Sequence, residues 1–290
     1  MTARRRALML VNPNARRGRE ALGVVERLAA GGIDAAVEHF ASPDEAAADI
    51  VRRAGGIDLV IVCGGDGTVA AAARGLVQAG LPMGLLPLGT ANDLARTLGI
   101  PTDLAAAADV IIAGRRERID LGEVNGHPFF NVASLGLSAE VAQRLSGADK
   151  KRWGPLAYAV RALQVLVTAR PFRAEIRVRD QTIRVRTLQI AVGNGRHYGG
   201  GTVIEEHASI TDGRLDLYSL DPRAVWKLAL MFQRFREGRH GIWAEVQTAK
   251  CFEFDVTTRK PRPINADGDI VTETPAHFVV RPGAVEVFVP

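Results

Sequence analysis

The chain has 290 residues, of which 47% are hydrophobic and 24% are charged, and this composition excludes a disordered or fibrous protein. Lysine and arginine number 37 against 32 acidic residues, so the formal net charge of +5 favours anionic partners without choosing among nucleotides, acidic lipids and nucleic acid. The two cysteines, Cys63 and Cys251, lie far apart, which excludes a disulfide framework or a cysteine metal site and favours the cytoplasm.

The first third of the chain alternates short apolar runs with longer helix-compatible runs. The pattern predicts strands at 7–11, 35–40, 59–63, 83–88 and 118–124, and helices at 20–30, 43–54, 68–79, 91–98 and 104–113. This alternation predicts a parallel, doubly wound α/β sheet. Ligands bind such sheets beyond the carboxyl ends of the strands. We therefore expect functional residues at 12–14, 64–68 and 89–93.

Beyond about residue 125 the pattern changes to strand-like alternation separated by turn residues. Strands are predicted at 172–179, 183–192, 215–220, 251–257, 277–280 and 285–289, with helices at 155–169 and 224–236. This pattern is typical of an antiparallel β-sandwich or barrel. We predict an α/β nucleotide-binding domain at 1–125 and an all-β domain at 126–290. The last strand of the all-β domain is a candidate to join the first domain.

The loop at 64–68, Gly-Gly-Asp-Gly-Thr, joins a buried strand to a helix. Its glycines allow an anion close to the backbone, Thr68 is placed to cap the helix, and the helix end adds partial positive charge. The spacing is not that of a Walker A loop. A carboxylate would repel phosphates, so Asp66 is interpreted as binding Mg²⁺, directly or through water, or as accepting a ribose or backbone hydrogen bond. The alternative is a glycine-rich turn in which Asp66 only orders the backbone.

About twenty residues later the chain reads Pro-Leu-Gly-Thr-Ala-Asn-Asp-Leu-Ala-Arg, at 87–96. Together with the loop at 64–68, this segment resembles the diacylglycerol kinase catalytic-domain family, which includes sphingosine kinases and soluble bacterial lipid kinases. Further segments that resemble this family are the Asn-Pro loop at 12–18, residues 193–201, residues 211–216 and the Asp-Gly-Asp sequence at 267–269. The resemblance runs through most of the chain.

The resemblance implies a nucleotide-binding domain like that of NAD kinases and phosphofructokinases, packed on a C-terminal β-sandwich with the active site between them. It implies that ATP is bound by the following residues: Asn12, Asn14, Arg16, Gly64, Gly65, Asp66, Gly67, Thr68, Thr90, Asn92 and Asp93. Ala15 and Arg16 replace the family's Ser-Gly, and Arg16 offers a cationic phosphate contact instead. A family threonine expected near Phe40 is absent.

The resemblance also implies the catalytic and metal residues. Asp269 stands where the family has a glutamate that takes the proton from the lipid hydroxyl, and Asp66 and Asp267 order metal and acceptor. The alternative for Asp267-Gly268 is an ordinary hairpin turn. A structural Mg²⁺ site is implied at the Asp212 carboxylate and the carbonyls of Ser209 and Arg214. Asp120 is expected to hold an inter-domain network.

We therefore expect an ATP- and Mg²⁺-dependent lipid kinase that meets its substrate at a membrane surface. An NAD kinase and a nucleotide-sensing or nucleic-acid-binding protein without turnover are the alternatives, although no aromatic-rich basic motif supports nucleic acid as a partner. The basic segment 223–243 is either a helix on the sandwich or a contact with the inner membrane face. The lipid acceptor and the oligomeric state stay open, a homodimer being one option.

Overall fold

Near-continuous apolar runs form the central strands of the N-terminal half, since parallel strands are covered on both faces. The computed structural model describes residues 4–12, 20, 23–144, 170–195, 197–198, 202–203, 209–220 and 246–290. The elements of the N-terminal half are β1 (Arg5–Val11), α1 (Val25–Ala30), β2 (Ile33–His39), α2 (Pro43–Arg53), a 3₁₀ turn (Ala54–Gly56), β3 (Leu59–Gly64), α3 (Asp66–Ala79), β4 (Met83–Pro87), α4 (Asp93–Thr97), α5 (Leu104–Ala113) and β5 (Arg116–Val124).

The C-terminal half is mostly antiparallel. Its elements are β6 (His127–Phe129), β7 (Val132–Gly136), α6 (Leu137–Arg144), β8 (Phe172–Val178), β9 (Gln181–Thr187), β10 (Gln189–Gly193), β11 (His197–Tyr198), β12 (Thr202–Val203), β13 (Leu215–Leu220), β14 (Val246–Cys251), β15 (Glu253–Thr258), β16 (Pro263–Ala266), β17 (Asp269–Glu273) and β18 (Ala276–Phe288). The predicted helices at 155–169 and 224–236 lie outside the described residues.

Two large sheets organise the part of the chain that the structure describes, and β11 and β12 form a separate two-stranded sheet. One has the order β2-β1-β3-β4-β18-β15-β8-β9, with β5 paired to β18 and β6 paired to β5, and its first four strands are parallel. The other has the antiparallel order β14-β13-β10-β7-β16-β17. The second sheet packs on the C-terminal strands of the first around one apolar core. This architecture confirms the predicted combination of a doubly wound α/β half and an antiparallel β-sandwich.

The last strand, β18, connects the two halves. Its beginning pairs with β15 of the sandwich, whereas Val287 near its end pairs in parallel with Met83 of β4. The pairing with β5 shifts register between Arg281 and Val285. The two strands predicted at 277–280 and 285–289 are therefore one strand with an irregularity at Pro282-Gly283, where proline and glycine weaken regular pairing.

Other boundaries also differ from the predictions. Residues 183–192 form two strands, β9 and β10, separated at Leu188, and 251–257 straddles the end of β14 and most of β15. Helix α3 begins at Asp66 rather than at Thr68. In the described ranges no helix is long and apolar enough to cross a membrane.

Candidate active site

Three loops meet beyond the carboxyl ends of β1, β3 and β4. The backbone N–H of Asn12 donates to the Cys63 carbonyl at 3.2 Å, and its side-chain amide donates to the Thr68 hydroxyl at 3.1 Å. The Leu88 N–H donates to the Gly64 carbonyl at 2.9 Å. The structure thus brings together the loops after these three strands, as parallel pairing requires. Asn14 and Arg16 lie outside the described residues.

The glycines of these loops serve different purposes. A Cβ on Gly64 would lie 2.1 Å from the Thr68 hydroxyl oxygen, and a Cβ on Gly89 would lie 2.5 Å from the Gly65 Cα, so close packing excludes side chains there. A Cβ on Gly67 would meet no atom within 4 Å. Glycine in a helix costs about 0.5–1 kcal/mol relative to alanine. Packing within the protein therefore does not account for Gly67, whereas close approach of a ligand would.

The predicted capping role of Thr68 is wrong. The N-cap of α3 is Gly65, which provides no side-chain cap, and Thr68 is buried within the first turn. Asp66 begins the helix, so the hydroxyl of Thr68 is directed instead to Asn12. The first N–H groups of a helix lack intrahelical partners and carry partial positive charge. This end of α3 is consequently left without a side-chain cap.

Asp66 links the loop after β3 to the loop after β4. Its Oδ1 accepts hydrogen bonds from the backbone N–H groups of Asp93 at 2.7 Å and of Leu94 at 3.4 Å, at the start of α4. Burial, followed by the neighbouring Asp93 carboxylate, raises the pKa of Asp66 above its ordinary value. Asp66 therefore orders the backbone, as the structural alternative expected. These two hydrogen bonds occupy only one of the two carboxylate oxygens of Asp66.

The loop after β4 is a tight turn held by Asn92. The Asn92 side chain accepts from the Gly89 N–H at 2.9 Å and donates to the Gly89 carbonyl at 2.8 Å, with its own backbone in the left-handed region at φ 50°. Asn92 and Asp93 are buried, whereas Thr90 is exposed at the rim. Thr90 is therefore the accessible side chain of this loop, and Asn92 shapes it.

Asp267 belongs to the sandwich and is held by consecutive backbone donors. Its carboxylate accepts from the N–H groups of Phe130 at 2.6 Å, Asn131 at 3.0 Å and Val132 at 3.1 Å. Burial raises the pKa of Asp267 to about 6 against the opposing effect of these donors, and the Asp66 carboxylate raises it further. The charge of Asp66, in the α/β half, thus acts on Asp267, in the sandwich half.

Asp267 and Gly268 form the turn of a β-hairpin between β16 and β17. Asp267 and Gly268 both have positive φ, 46° and 109°, as a two-residue hairpin turn requires. The hairpin alternative is therefore confirmed for Asp267-Gly268. Asp269 is the exposed first residue of β17, beside Ala266 in register. Asp269 is exposed, whereas Asp267 is partly buried.

Asp120 joins the halves of the protein as expected. It is 3% exposed, and its carboxylate accepts from the backbone N–H groups of Gly213 at 2.7 Å and Gly283 at 2.8 Å. The Asn194 amide donates to the Asp120 carbonyl at 2.9 Å. Asn194 lies in the family-like segment 193–201, but its contact with Asp120 was not predicted, nor were the roles of Gly283 and the 130–132 backbone, because no local pattern marks partners so distant in sequence.

The predicted structural metal site lies on the turn before β13. The Asp212 carboxylate is exposed and accepts from the Arg214 N–H at 3.0 Å, while the Ser209 hydroxyl contacts that of Thr211 at 3.0 Å. Across the described ranges, no three acidic, histidine or cysteine side chains gather in a metal-binding group. A metal bound by one or two carboxylates plus phosphate oxygens, as Mg²⁺ is with nucleotides, does not need such a group.

Two concave regions offer space for a ligand. A small cleft is lined by Gly64, Gly65, Asp66, Pro87 and Asn92, together with apolar neighbours. A larger groove lies on the outer face of the sandwich, where an exposed His277–Asp255 pair at 2.9 Å lines it. The groove lacks glycine loops and a helix end, so we place the candidate site at the smaller cleft.

Comparison with known proteins agrees with this geometry. Residues 6–124 match the family model of the diacylglycerol kinase catalytic domain, and residues 131–289 match that of the YegS C-terminal NAD kinase beta sandwich-like domain. A Mycobacterium tuberculosis protein named diacylglycerol kinase is 34% identical, covering 97% of this chain and 94% of the relative. A Bacillus subtilis diacylglycerol kinase is 30% identical, covering 77% and 74%.

Solved structures show the same architecture. The structure of a candidate diacylglycerol kinase from Bacillus anthracis superposes with a TM-score of 0.84 at 26% identity, covering 100% of this chain and 97% of the other. One family is indicated by both domain models, by the two-sheet topology and by the loops beyond β1, β3 and β4. The chain belongs to the diacylglycerol kinase catalytic-domain family of lipid kinases.

Proposed function

We propose that this protein is an ATP- and Mg²⁺-dependent kinase that transfers the γ-phosphoryl group to the hydroxyl of a diacylglycerol-like lipid. The observation that carries this proposal is the meeting of the loops beyond β1, β3 and β4, which hydrogen bonds from Asn12 to Thr68 and from the Asp93 N–H to Asp66 hold together. These loops carry the phosphate-binding features, and the exposed Asp269 on the sandwich hairpin offers a carboxylate to the acceptor. Phosphoryl transfer depends mostly on such positioning and on charge stabilisation.

The loops beyond β1, β3 and β4 form the nucleotide side of the site. The uncapped end of α3 and the open position at Gly67 favour phosphate binding. Thr90 and Asn12 stand on the neighbouring loops, and Asn14 and Arg16 extend the Asn12 loop in sequence. We assign the phosphates of ATP to this end of α3.

Asp66 and Asp267 would hold Mg²⁺ together with phosphate oxygens, since hard cations take oxygen ligands. Burial is the main cause of the raised pKa of Asp267, and the Asp66 carboxylate adds to it, so a bound cation would offset the repulsion between these two groups. The bound metal would neutralise charge on the phosphates. A second, structural Mg²⁺ is assigned to Asp212 with the carbonyls of Ser209 and Arg214.

Asp269 is the proposed proton acceptor. The lipid hydroxyl oxygen forms a bond to the γ-phosphorus, the bond from that phosphorus to the β–γ bridging oxygen breaks, and ADP leaves. The hydroxyl proton passes to the Asp269 carboxylate, which is exposed and needs reach more than basicity. Aspartate is one methylene shorter than the family glutamate, so the acceptor must approach this hairpin closely.

The last part of the proposal concerns where the protein acts. Because the proposed acceptor is a lipid, we propose a cytoplasmic protein that contacts the inner membrane face peripherally. The oligomeric state stays open, with a homodimer as one candidate. An NAD kinase would share the loop at 64–68, but residues 87–96 are those of the lipid-kinase motif. A nucleotide-binding protein without turnover is the other alternative.

Labelled ATP, Mg²⁺ and a panel of diacylglycerol, sphingoid, phosphatidylglycerol, polyprenol and NAD acceptors separate these functions. We expect label in diacylglycerol. Label only in NADP would replace the proposal with the NAD kinase. Tight ATP binding with no labelled product from any acceptor would favour the non-catalytic alternative.

A further inference from the structure

The strands β8 and β9 present one charged face to solvent. Phe172, Ala174 and Val185 belong to the sandwich core, so alternation places the residues between them on the opposite, exposed face. On that face Arg173 lies directly opposite Arg186 in the register of the two strands. Like charges at paired positions of a sheet destabilise the pairing. The fold therefore keeps two arginines in an unfavourable arrangement at this place.

Two further cations adjoin this pair of arginines. Strand β15 lies beside β8, and its last residue, Thr258, pairs with Ala174. The next two residues of the chain are also cations, and both are exposed. We name the resulting group the cationic corner, and it consists of Arg173, Arg186, Arg259 and Lys260.

The charges on the rest of the same face are paired. Arg184 of β9 forms an ion pair with Glu175 at 2.8 Å. Asp255 of β15 pairs in register with Arg177 and contacts His277 at 2.9 Å. In contrast, the four cations of the corner form no ion pair with any of the residues that the structure describes. Positive charge is therefore concentrated at one end of the face.

Protection of the sheet edge explains only part of the cationic corner. Strand β9 is the last strand in the described order of its sheet, and charged side chains on an edge strand prevent pairing with another chain. This role accounts for Arg186. It does not account for Arg173, which lies on the inner strand β8, or for Arg259 and Lys260, which follow β15.

An anionic bilayer has the charge that complements the cationic corner. Acidic phospholipids attract clusters of about four or more exposed lysine and arginine side chains. The corner also belongs to the half of the protein that carries Asp269, because the turn with Arg259 and Lys260 leads into β16 and its hairpin. A lipid kinase must reach an acceptor that resides in a membrane.

We propose that the cationic corner docks this protein on a membrane surface that contains acidic phospholipids. The preference for a membrane over nucleic acid rests on the proposed lipid kinase function. The docking itself rests on the exposure and the charge of the four residues.

The test measures co-sedimentation, without ATP, with vesicles of equal parts phosphatidylglycerol and phosphatidylcholine and with vesicles of phosphatidylcholine alone. We expect the native protein to bind only the mixed vesicles, and to bind them less at high salt, because salt screens exposed charges. Changing Arg173→Gln and Arg186→Gln together should lower the partition coefficient about 25-fold, which is about fivefold for each charge. Changing Arg173→Lys and Arg186→Lys keeps both charges and should preserve binding.

A second pair of arginines provides the matched control. Arg27 and Arg52 are exposed in the α/β half, where they form ion pairs with Asp109 and Asp49. Changing both to glutamine lowers the net charge by the same amount as the change at the corner. This control should bind the mixed vesicles like the native protein.

Three results would overturn the inference. The first is unchanged vesicle binding after Arg173→Gln and Arg186→Gln. The second is an equal loss in the control pair, since net charge alone would then explain the binding. The third is binding of the native protein to duplex DNA but not to the mixed vesicles, which would favour nucleic acid as the partner.

A short-chain diacylglycerol dissolved as monomers separates docking from the proposed function. The glutamine variant of the corner should phosphorylate this soluble acceptor at the native rate but should be slower on diacylglycerol in the mixed vesicles. Equal slowing on both acceptors would assign the two arginines to the reaction and overturn their docking role. If the native protein phosphorylates neither acceptor, the proposed function is overturned, whereas vesicle binding still decides the docking.

Discussion

The Asp66 carboxylate accepts a hydrogen bond from the backbone N–H of Asp93 at 2.7 Å, so the loop after β3 holds the first turn of the helix that follows β4. The charge of the same carboxylate also raises the pKa of Asp267 in the sandwich, after the larger effect of burial. Asp66 therefore joins the loop after β3 to the loop after β4 and acts on a residue of the other half of the protein. This connection makes Asp66 the residue whose replacement is most informative.

Asp66→Asn should lower kcat by at least about a hundredfold, the order found when one electrostatic group is removed from an active site. The amide oxygen still accepts from Asp93, so we expect the melting temperature to change by only a few degrees. Steady-state kinetics and thermal unfolding check both statements. Asp58→Asn, at an exposed carboxylate that accepts from the Arg6 N–H at 2.6 Å, is the control and should retain full activity. Full activity of Asp66→Asn would remove Asp66 from the mechanism.

Gly67→Ala should stabilise the protein and weaken nucleotide binding. Nothing lies within 4 Å of the added Cβ, and alanine is favoured over glycine in a helix by about 0.5–1 kcal/mol. Urea unfolding and ATP titration calorimetry measure the two effects. Gly55→Ala also adds a Cβ into open space, but away from the site, so it should leave ATP affinity unchanged. Unchanged affinity in Gly67→Ala would contradict the phosphate-binding role of this loop.

Asp269→Ala should lower kcat by about 10²–10⁴-fold, the usual contribution of a positioned base. Asp269→Glu should remain active, because it restores the carboxylate of the family at an exposed position where an extra methylene meets no packing. Rapid-quench measurements of labelled lipid compare the variants. If the alanine variant matches the native rate, the proton acceptor lies elsewhere.

The stability of the ligand-free protein should fall as pH rises from about 4 to about 6, because the folded pKa of Asp267, about 6, exceeds the ordinary aspartate value of about 3.9. Between these values the folded state binds more protons than the unfolded state. The stability contribution is therefore fully present below pH ~4 and lost as pH passes through ~6. Denaturant unfolding at a series of pH values measures the effect.

Asp66→Asn provides the comparison for that experiment. Removing the neighbouring charge lowers the pKa of Asp267, so the decline in stability should move to lower pH. Mg²⁺ should reduce the decline in the native protein by favouring the ionised carboxylates. A stability that rises through this window in the ligand-free protein would contradict the assigned environment of Asp267.

Asp120→Ala should destabilise the protein by about 2–6 kcal/mol, because it leaves two backbone N–H groups, those of Gly213 and Gly283, without a buried partner. The free energy of urea unfolding measures this loss. Asp212→Ala removes an exposed carboxylate from the same turn and should cost less than about 1 kcal/mol without metal. Equal costs would show that burial of Asp120 does not matter.

The elements that sequence predicted well are those with strong local signals. The runs 59–63 and 83–88 agree with β3 and β4 within one residue, because buried parallel strands are continuously apolar. The start of α3 was predicted two residues late, since Gly-Asp-Gly favours a loop whereas the chain is already helical at Asp66. Pro282 and Gly283 likewise favour a turn, so two strands were predicted where the structure has the single strand β18.

The candidate site likewise has one part that local sequence signals predicted and another part that they did not. The loops at 64–68 and 89–93 could be placed together from the rules of parallel sheets. The glycines at 64–68 were interpreted as room for an anion, whereas the close packing of Gly64 and Gly89 within the protein was not predicted. The cradle that Phe130, Asn131 and Val132 form around Asp267 could not be predicted, because its partners are separated by about 135 residues and backbone N–H groups carry no sequence signature.

The most direct test of the central claim is a single assay of phosphoryl transfer. Purified protein is incubated with γ-labelled ATP, Mg²⁺, diacylglycerol in mixed micelles and NAD, and the products are separated by chromatography. The account predicts labelled phosphorylated diacylglycerol from the native protein and at least about a hundredfold less from Asp66→Asn. Label confined to NADP, or no labelled product from any lipid acceptor, would contradict it.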